Sequence, residues 1–485
     1  MRIKTVLAVQ SLICFIVSFA MIPCVFVSVQ DGTHDRAAFL LSISAGVILS
    51  FLMILPMFMA GEKFSDSIKK IGIREGIGVT GFTWIFASSI GALPYYFASV
   101  VNSYVDAFFE TMSGFTTTGA TVLEEIQTAP RGILLWRSLT HWMGGMGIIV
   151  LSLAVLPFLG LRGIELYKAE VPGVNAEKVT PRLQQTAKRL WLLYIFLTFS
   201  ETALLMLGGM NFFDAFNHSC ATIATGGFST KNDSIAYFQS PYIEWVIIIF
   251  MFLSGVNFSL YFLLFAKNFT EFYKDEEFKL YAKIIIICSI AITIKLYFSG
   301  FGFMFREALF HVISIMTTTG FVSQDYNAWP EFAKFIFVLL MFTGASGGST
   351  GGGFKISRII ILGRKLRTEF TKLLHPRAVI VPRLNERPLN DNTMNATIAF
   401  FILFMLLVGV GTLITTACDV DILTALTGVL TCLSNVGPGL NFLGPVDNFS
   451  ALPALVKWLF ALLMLAGRLE LFAVALLVYP GTYKK

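Results

Sequence analysis

Charge is what this chain has least of. Its 485 residues include 36 Lys and Arg and 30 Asp and Glu, 14% in all, where a soluble domain carries about 25%. Hydrophobic residues make up 55% and the mean hydropathy is +0.73, which excludes an ordinary water-soluble domain. Cysteine is sparse as well: Cys14, Cys24, Cys220, Cys288, Cys418 and Cys432 stand apart with no paired spacing. Neither a disulfide framework nor a metal knuckle is supported, and small apolar packing is their expected role. The basic residues fall between apolar runs and form no single patch, which argues against nucleic acid. The stretch from Arg358 to Asn392 holds no phosphate-binding glycine motif, so the chain itself is expected to bind no nucleotide.

What the chain has is long apolar runs: Val6 to Val29, Trp191 to Met210, Trp245 to Ala266, Ala396 to Ala417, Trp458 to Val478 and, with its flanks, Ile284 to Phe298. A spanning helix needs about 20 such residues, and continuous runs exclude the alternating segments of a membrane barrel. The first run follows a basic start, as a signal peptide would. It is longer than a typical h-region and shows no clear cleavage site, so it reads as a retained helix. Lys63, Lys69, Lys70 and Arg74 share one loop, Arg162, Lys168, Lys178, Arg182, Lys188 and Arg189 a second, and Lys267, Lys274, Lys279 and Lys283 a third. A longer loop carries Arg358, Arg364, Lys365, Arg367, Lys372, Arg377, Arg383 and Arg387. The positive-inside rule makes these loops cytoplasmic, and both termini with them.

Between the basic loops lie four short segments opening at Asp106, Asp214, Glu307 and Thr424, each followed 13 positions later by a glycine: Gly119, Gly227, Gly320 and Gly437. A residue of helix-cap type opens each one. The repeated unit is a span, a half-helix, a polar Thr/Gly segment and a second span. Irregular backbone at membrane depth is tolerated where it is buried in protein or lines a water-filled path, so four such segments on one axis predict a pore lining. Four outer loops with ordinary glycine turns are the alternative. The chemistry suits a monovalent cation. Glycine takes positive φ at little cost and lets carbonyls turn inward, neutral carbonyl dipoles replace the hydration shell, and a half-helix ending at the site points the negative end of its dipole at the ion.

Two further features stand at membrane depth. A helix beginning near Phe332 meets Gly344, Ala345, Ser346, Gly347, Gly348, Ser349, Thr350, Gly351, Gly352 and Gly353, six glycines in ten positions. At about 1 kcal/mol per interior glycine this is no regular helix, and a loop within the membrane is expected, with a close-packing kink as the alternative. Arg468 lies in an apolar run, where a cation faces protein or water. It is expected to face the pore as an electrostatic brake, or else to pair with a carboxylate between helices. Glu470 lies two positions on, about 200° around the helix, so the two cannot share one axis. Glu201 and Lys295 read as interhelical or interface-snorkelling groups.

These four segments, GASGGSTGGGFK from Gly344 to Lys355 and AGRLEL from Ala466 to Leu471, make the chain resemble the Trk/Ktr/HKT superfamily of potassium transporters, and within it the bacterial Trk type, over nearly its whole length. The resemblance implies an all-α polytopic membrane protein with four fused span, pore-helix, filter and span repeats around a central ion pore, plus an extra N-terminal helical pair. Residues 1–73 would be that pair and 74–165, 166–268, 269–388 and 389–485 the four repeats. It implies a homodimer of the bacterial inner membrane that passes potassium and rubidium inward under the membrane potential. A ring of cytosolic nucleotide-binding subunits of the TrkA type would gate it. Matched by position, the potassium filter would be Thr116, Thr117, Thr118 and Gly119; Ala224, Thr225, Gly226 and Gly227; Thr318, Thr319 and Gly320; and Asn435, Val436 and Gly437. The fourth copy reads SNVGPG, without the Thr run and with Pro438, which predicts a filter that is not strictly fourfold. The same resemblance gives the loop 344–353 the role of gate, and Lys355 that of a handle for ligand-coupled movement.

Two other classes compete. Gly344 to Gly348 fits G-x-S-x-G, and a rhomboid-like intramembrane protease would pair Ser346 with a histidine. His141, His218 and His311 are available by type but belong near the outer side. A symporter coupling potassium to sodium or protons would carry a carboxylate or histidine relay at the midplane, where the spans offer an arginine and glycines.

Overall fold

A helix that faces lipid satisfies its backbone hydrogen bonds within itself, and the apolar runs fold accordingly. The structure, a computed structural model, describes residues 2–59, 61, 72–154, 180–265, 269–378, 380–385, 387–469 and 471–479. The expectations placed on Lys63, Lys69, Lys70, Arg162, Lys168, Lys178, Lys267, Glu470 and the C-terminal tail, and the unit boundary near 165, lie outside them. Among the described residues six helices are long and apolar enough to cross a membrane: Ile3–Asp31, Asp35–Met59, Arg74–Phe97, Lys188–Leu207, Glu276–Phe298 and Asp391–Thr416. They leave large apolar side chains on the outside, such as Phe51 and Phe196, as a lipid-facing surface requires. The first run, expected as one helix, is two, Ile3–Ala20 and Ile22–Asp31, meeting at Met21. Pro23 in the first turn of the second has no N–H to continue the helix across the join.

The four expected half-helices are Tyr104–Phe115, Phe212–Ile223, Phe305–Met316 and Ile422–Ser434. At 1.5 Å per residue they reach about 18 to 20 Å, short of an apolar layer about 30 Å thick. Each is followed by an irregular segment and then a second long helix: Arg131–Ala154, Pro241–Ser254, Glu331–Phe342 and Ala454–Arg468. Their starts need a correction. Asp106, Asp214, Glu307 and Thr424 do not open the half-helices. Each lies three residues inside, after Ser103, Asn211, Met304 and Asp421 at the cap position. In the first, second and fourth copies the cap side chain accepts the N–H of that third residue, and an acid there also suits the positive end of the helix dipole. The spacing signal was therefore a third-position signal.

The second long helices of the second and third units are interrupted. Pro241–Ser254 turns by 90° into Phe258–Leu264 across residues 255–257. Glu331–Phe342 gives way to the glycine-rich loop and resumes as Ile356–Leu374. Within the loop Gly344 N donates to Phe354 O at 3.1 Å and Phe354 N to Phe342 O at 3.1 Å, which draws its two ends together.

Candidate functional site

Each half-helix ends the same way. The residue two before the glycine takes a left-handed conformation in every copy: Thr117 at φ 53°, Thr225 at 55°, Thr318 at 59° and Asn435 at 58°. The next amide reaches back to the half-helix, from Thr118 to Ser113 O, Gly226 to Ala221 O, Thr319 to Ser314 O and Val436 to Thr431 O, at 2.8 to 2.9 Å. This is a Schellman-type termination carried by threonine or asparagine where glycine is usual. The amides of Thr118, Gly226, Thr319 and Val436 are thus occupied, while among the described residues no hydrogen bond ends on their carbonyl oxygens.

The glycines come next, with φ of 83°, 77°, 77° and 104° at Gly119, Gly227, Gly320 and Gly437, a region open to glycine at little cost. Space demands glycine as well. A Cβ on Gly119 would run into the carbonyl oxygen of Gly226, one on Gly227 into Thr319 O, one on Gly320 into Val436 O and one on Gly437 into Thr118 O. First touches second, second third, third fourth and fourth first, so the segments close into a ring. All four glycines line one cavity of about 70 Å³, with Arg137, Lys231, Pro438 and Asp447 among its walls. The remaining expected residues, Thr116 and Ala224, are buried at the half-helix ends, as is Thr317, which the sequence did not single out.

The side chains of the ring brace it. Thr116 and Thr118 share a hydroxyl contact of 2.8 Å, and Thr317 and Thr319 repeat it at 2.8 Å. In the divergent fourth copy Asn435 donates to Thr118 Oγ1 at 2.9 Å and to Met464 O at 2.9 Å, so its side chain holds the fourth segment to the first. Sequence reasoning missed a second brace. Arg137 and Glu110, both fully buried, pair at 2.8 Å, and the guanidinium also donates to Ser229 O at 2.9 Å and lies 4.1 Å over the Phe228 ring. A charge in each of two apolar helices was the available signal, the one that singled out Arg468.

The glycine-rich loop lies at the half-helix end of the ring, away from the cavity. Gly352 N donates to Thr318 Oγ1 at 2.8 Å, and Thr350 Oγ1 donates to Ile223 O at 3.1 Å. A Cβ on Gly351 would meet Thr317 O, and one on Gly352 would meet Ser434 O. Arg468, 3% exposed, donates from one nitrogen to Thr350 O at 2.7 Å and from the other to Gly144 O at 2.9 Å. Among the described residues no carboxylate pairs with it, and it bridges the loop to the first unit's second helix. Lys355 stands at the cap position of the following helix and turns its ammonium to Gly351 O.

The histidines do not assemble a protease. Ser346 Oγ has no hydrogen-bond partner among the described residues. His218 bonds Asp214 O and Ser229 Oγ, His311 bonds Glu307 O, and His141 stacks on Phe228 with ring centres 4.0 Å apart. Glu201 is fully buried, and both its carboxylate oxygens lack hydrogen-bond partners among the described residues.

Fold and site together define a polytopic helical membrane protein whose centre is a closed ring of four backbone segments. Comparison with known proteins agrees with that class. The family described as "TrkH: Cation transport protein" matches residues 44–294 and 300–480. The Trk system potassium uptake protein TrkH of Escherichia coli is 39% identical over 419 residues, covering 85% of this chain and 86% of that protein. The protein of the same name from Halomonas elongata is 36% identical over the full length of both. The crystal structure of the potassium transporter TrkH from Vibrio parahaemolyticus superposes with a TM-score of 0.89 at 32% identity, covering 100% of each chain. The chain belongs to the TrkH family of cation transport proteins.

Proposed function

We propose that this chain takes up potassium, and rubidium with it, across the bacterial inner membrane by channel-like conduction through the ring. The observation that carries the reading is the ring itself. Four carbonyls, of Thr118, Gly226, Thr319 and Val436, sit side by side without hydrogen-bond partners among the described residues, and neutral oxygens in that number suit a monovalent cation shedding water. Calcium or magnesium would call for carboxylates. The four half-helices end at the ring and add the negative ends of their dipoles. Thr116 to Gly119, Ala224 to Gly227, Thr318 to Gly320 and Asn435 to Gly437 form the filter in this reading. The four units divide the chain as 74–165, 166–268, 269–388 and 389–485. Residues 344–353 form a gate under the filter that Arg468 holds closed, with the basic loops cytoplasmic. Relatives named as parts of a Trk system support control by a separate subunit, in this reading a cytosolic nucleotide-binding one, and the chain acts in it as a homodimer.

A second reading, symport with protons or sodium, is favoured by one observation: Glu201 is a carboxylate at membrane depth without hydrogen-bond partners among the described residues, the kind of group a proton relay uses. Current from the purified chain in planar bilayers separates the two. Conduction predicts reversal at the potassium equilibrium potential whatever the sodium or pH gradient. A shift with either gradient establishes symport.

A further inference from the structure

The loop is held at a second place, far from Arg468 in sequence. Glu277 lies in the first turn of Glu276–Phe298 and is 8% exposed. Its Oε1 accepts the N–H of Gly347 at 2.5 Å and that of Ser357 at 3.1 Å. One carboxylate oxygen therefore ties the loop's descending limb to the start of Ile356–Leu374, the helix into which the loop runs. The loop also docks in the break of the second unit's bent helix. Ser346 N donates to Gly255 O at 3.1 Å, Phe258 N donates to Gly348 O at 3.1 Å, and the Asn257 side chain occupies the place a Cβ on Gly348 would take. Those contacts are backbone pairs between neutral groups. Among the described residues Glu277 alone brings a charged acceptor to the loop backbone, and hydrogen bonds to charged groups are the stronger kind.

We infer that Glu277 is a positioning residue, the latch that keeps the glycine-rich loop seated under the ring and couples it to Ile356–Leu374. The inference rests on the reading of 344–353 as a gate. Ile356 N also donates to Ala345 O at 3.3 Å, so a displacement of Ile356–Leu374 relative to Glu276–Phe298 draws Ser357 off Glu277 and pulls on Ala345, two residues before Gly347. A regulator that moves that helix thereby has a route to the loop without touching the ring.

The experiment compares the purified full chain with Glu277→Ala, Glu277→Gln, Ser357→Pro and a deletion of residues 346–352. Rubidium uptake into liposomes is measured without any partner, and hydrogen–deuterium exchange is followed over residues 344–357. Glu277→Ala loses both bonds. Its basal uptake is expected to rise about a hundredfold, the effect on an equilibrium of losing two charge-assisted hydrogen bonds at about tenfold each, with faster exchange across the loop. Glu277→Gln keeps an accepting oxygen without the charge and lies nearer the parent than Glu277→Ala in both measurements. Ser357→Pro removes one N–H in a helical turn that tolerates proline, and falls between them. This variant carries the test if Glu277→Ala does not fold. If the deletion raises uptake while Glu277→Ala and Ser357→Pro leave uptake and exchange unchanged, the latch is overturned and the gate stands. If the deletion leaves uptake unchanged the gate reading fails, and the exchange measurement still decides the latch: unchanged exchange in Glu277→Ala, or equal acceleration in Glu277→Gln, overturns it.

Discussion

At the scale of single residues the ring glycines carry two demands at once, a positive φ and a neighbour's carbonyl where a Cβ would stand. The left-handed region alone costs an L-residue about 1 to 2 kcal/mol, and the clash adds to it. Gly227→Ala, whose Cβ would meet Thr319 O most closely, is expected to abolish selective rubidium uptake. Gly437→Ala has the loosest approach of the four and is expected to retain part of it; equal activity of both variants and the parent would contradict the ring geometry. Arg137 makes a separate prediction. Removing one partner of a buried ion pair strands the other charge at a cost of about 3 to 5 kcal/mol, so Arg137→Ala should lower the melting temperature in detergent sharply. Glu110→Leu combined with Arg137→Met should recover much of the loss. Residue identity made the glycines legible in the sequence. The Glu110 and Arg137 partnership was not, because which buried charges meet is decided by how two helices pack.

At the scale of elements, half-helix, turn and glycine recur because local devices recur: a side-chain cap three residues before the acid or threonine in the first, second and fourth copies, and in all four a left-handed turn that ends the helix. Local chemistry of this kind is readable, which is why cap-to-glycine spacing found all four copies while misplacing the cap itself. The glycine-rich loop was equally legible as an interruption, since six glycines do not make a helix interior. Its attachments were not, because Glu277 and Gly255 lie far from it along the chain. Arg468 supplies the element-scale prediction. Its two nitrogens bond carbonyls on two different elements, Thr350 and Gly144, a fork that lysine cannot reproduce. Arg468→Ala should raise basal rubidium uptake by the unpartnered protein, and Arg468→Lys should raise it less. A fall in uptake for both would argue that Arg468 serves conduction and not closure.

At the scale of the whole molecule the cyclic order is what turns four loops into one structure. Outside the ring the same order is repeated: Ile126 N to Asn232 Oδ1 joins the first unit to the second, Arg306 to Glu244 the third to the second, and Tyr326 to Gly439 O the third to the fourth. Lys457 to Asp106 at 2.6 Å joins the fourth to the first. No periodicity in a sequence states who neighbours whom around an axis, so this closure emerged only in three dimensions. The claim that depends on it is that monovalent cations pass through the ring down their own gradient. The direct measurement is the reversal potential of currents through the purified chain in planar bilayers, with potassium, sodium and proton gradients imposed in turn. The account predicts reversal at the potassium equilibrium potential in every case, with rubidium able to replace potassium; a reversal potential that follows the sodium or proton gradient would contradict it.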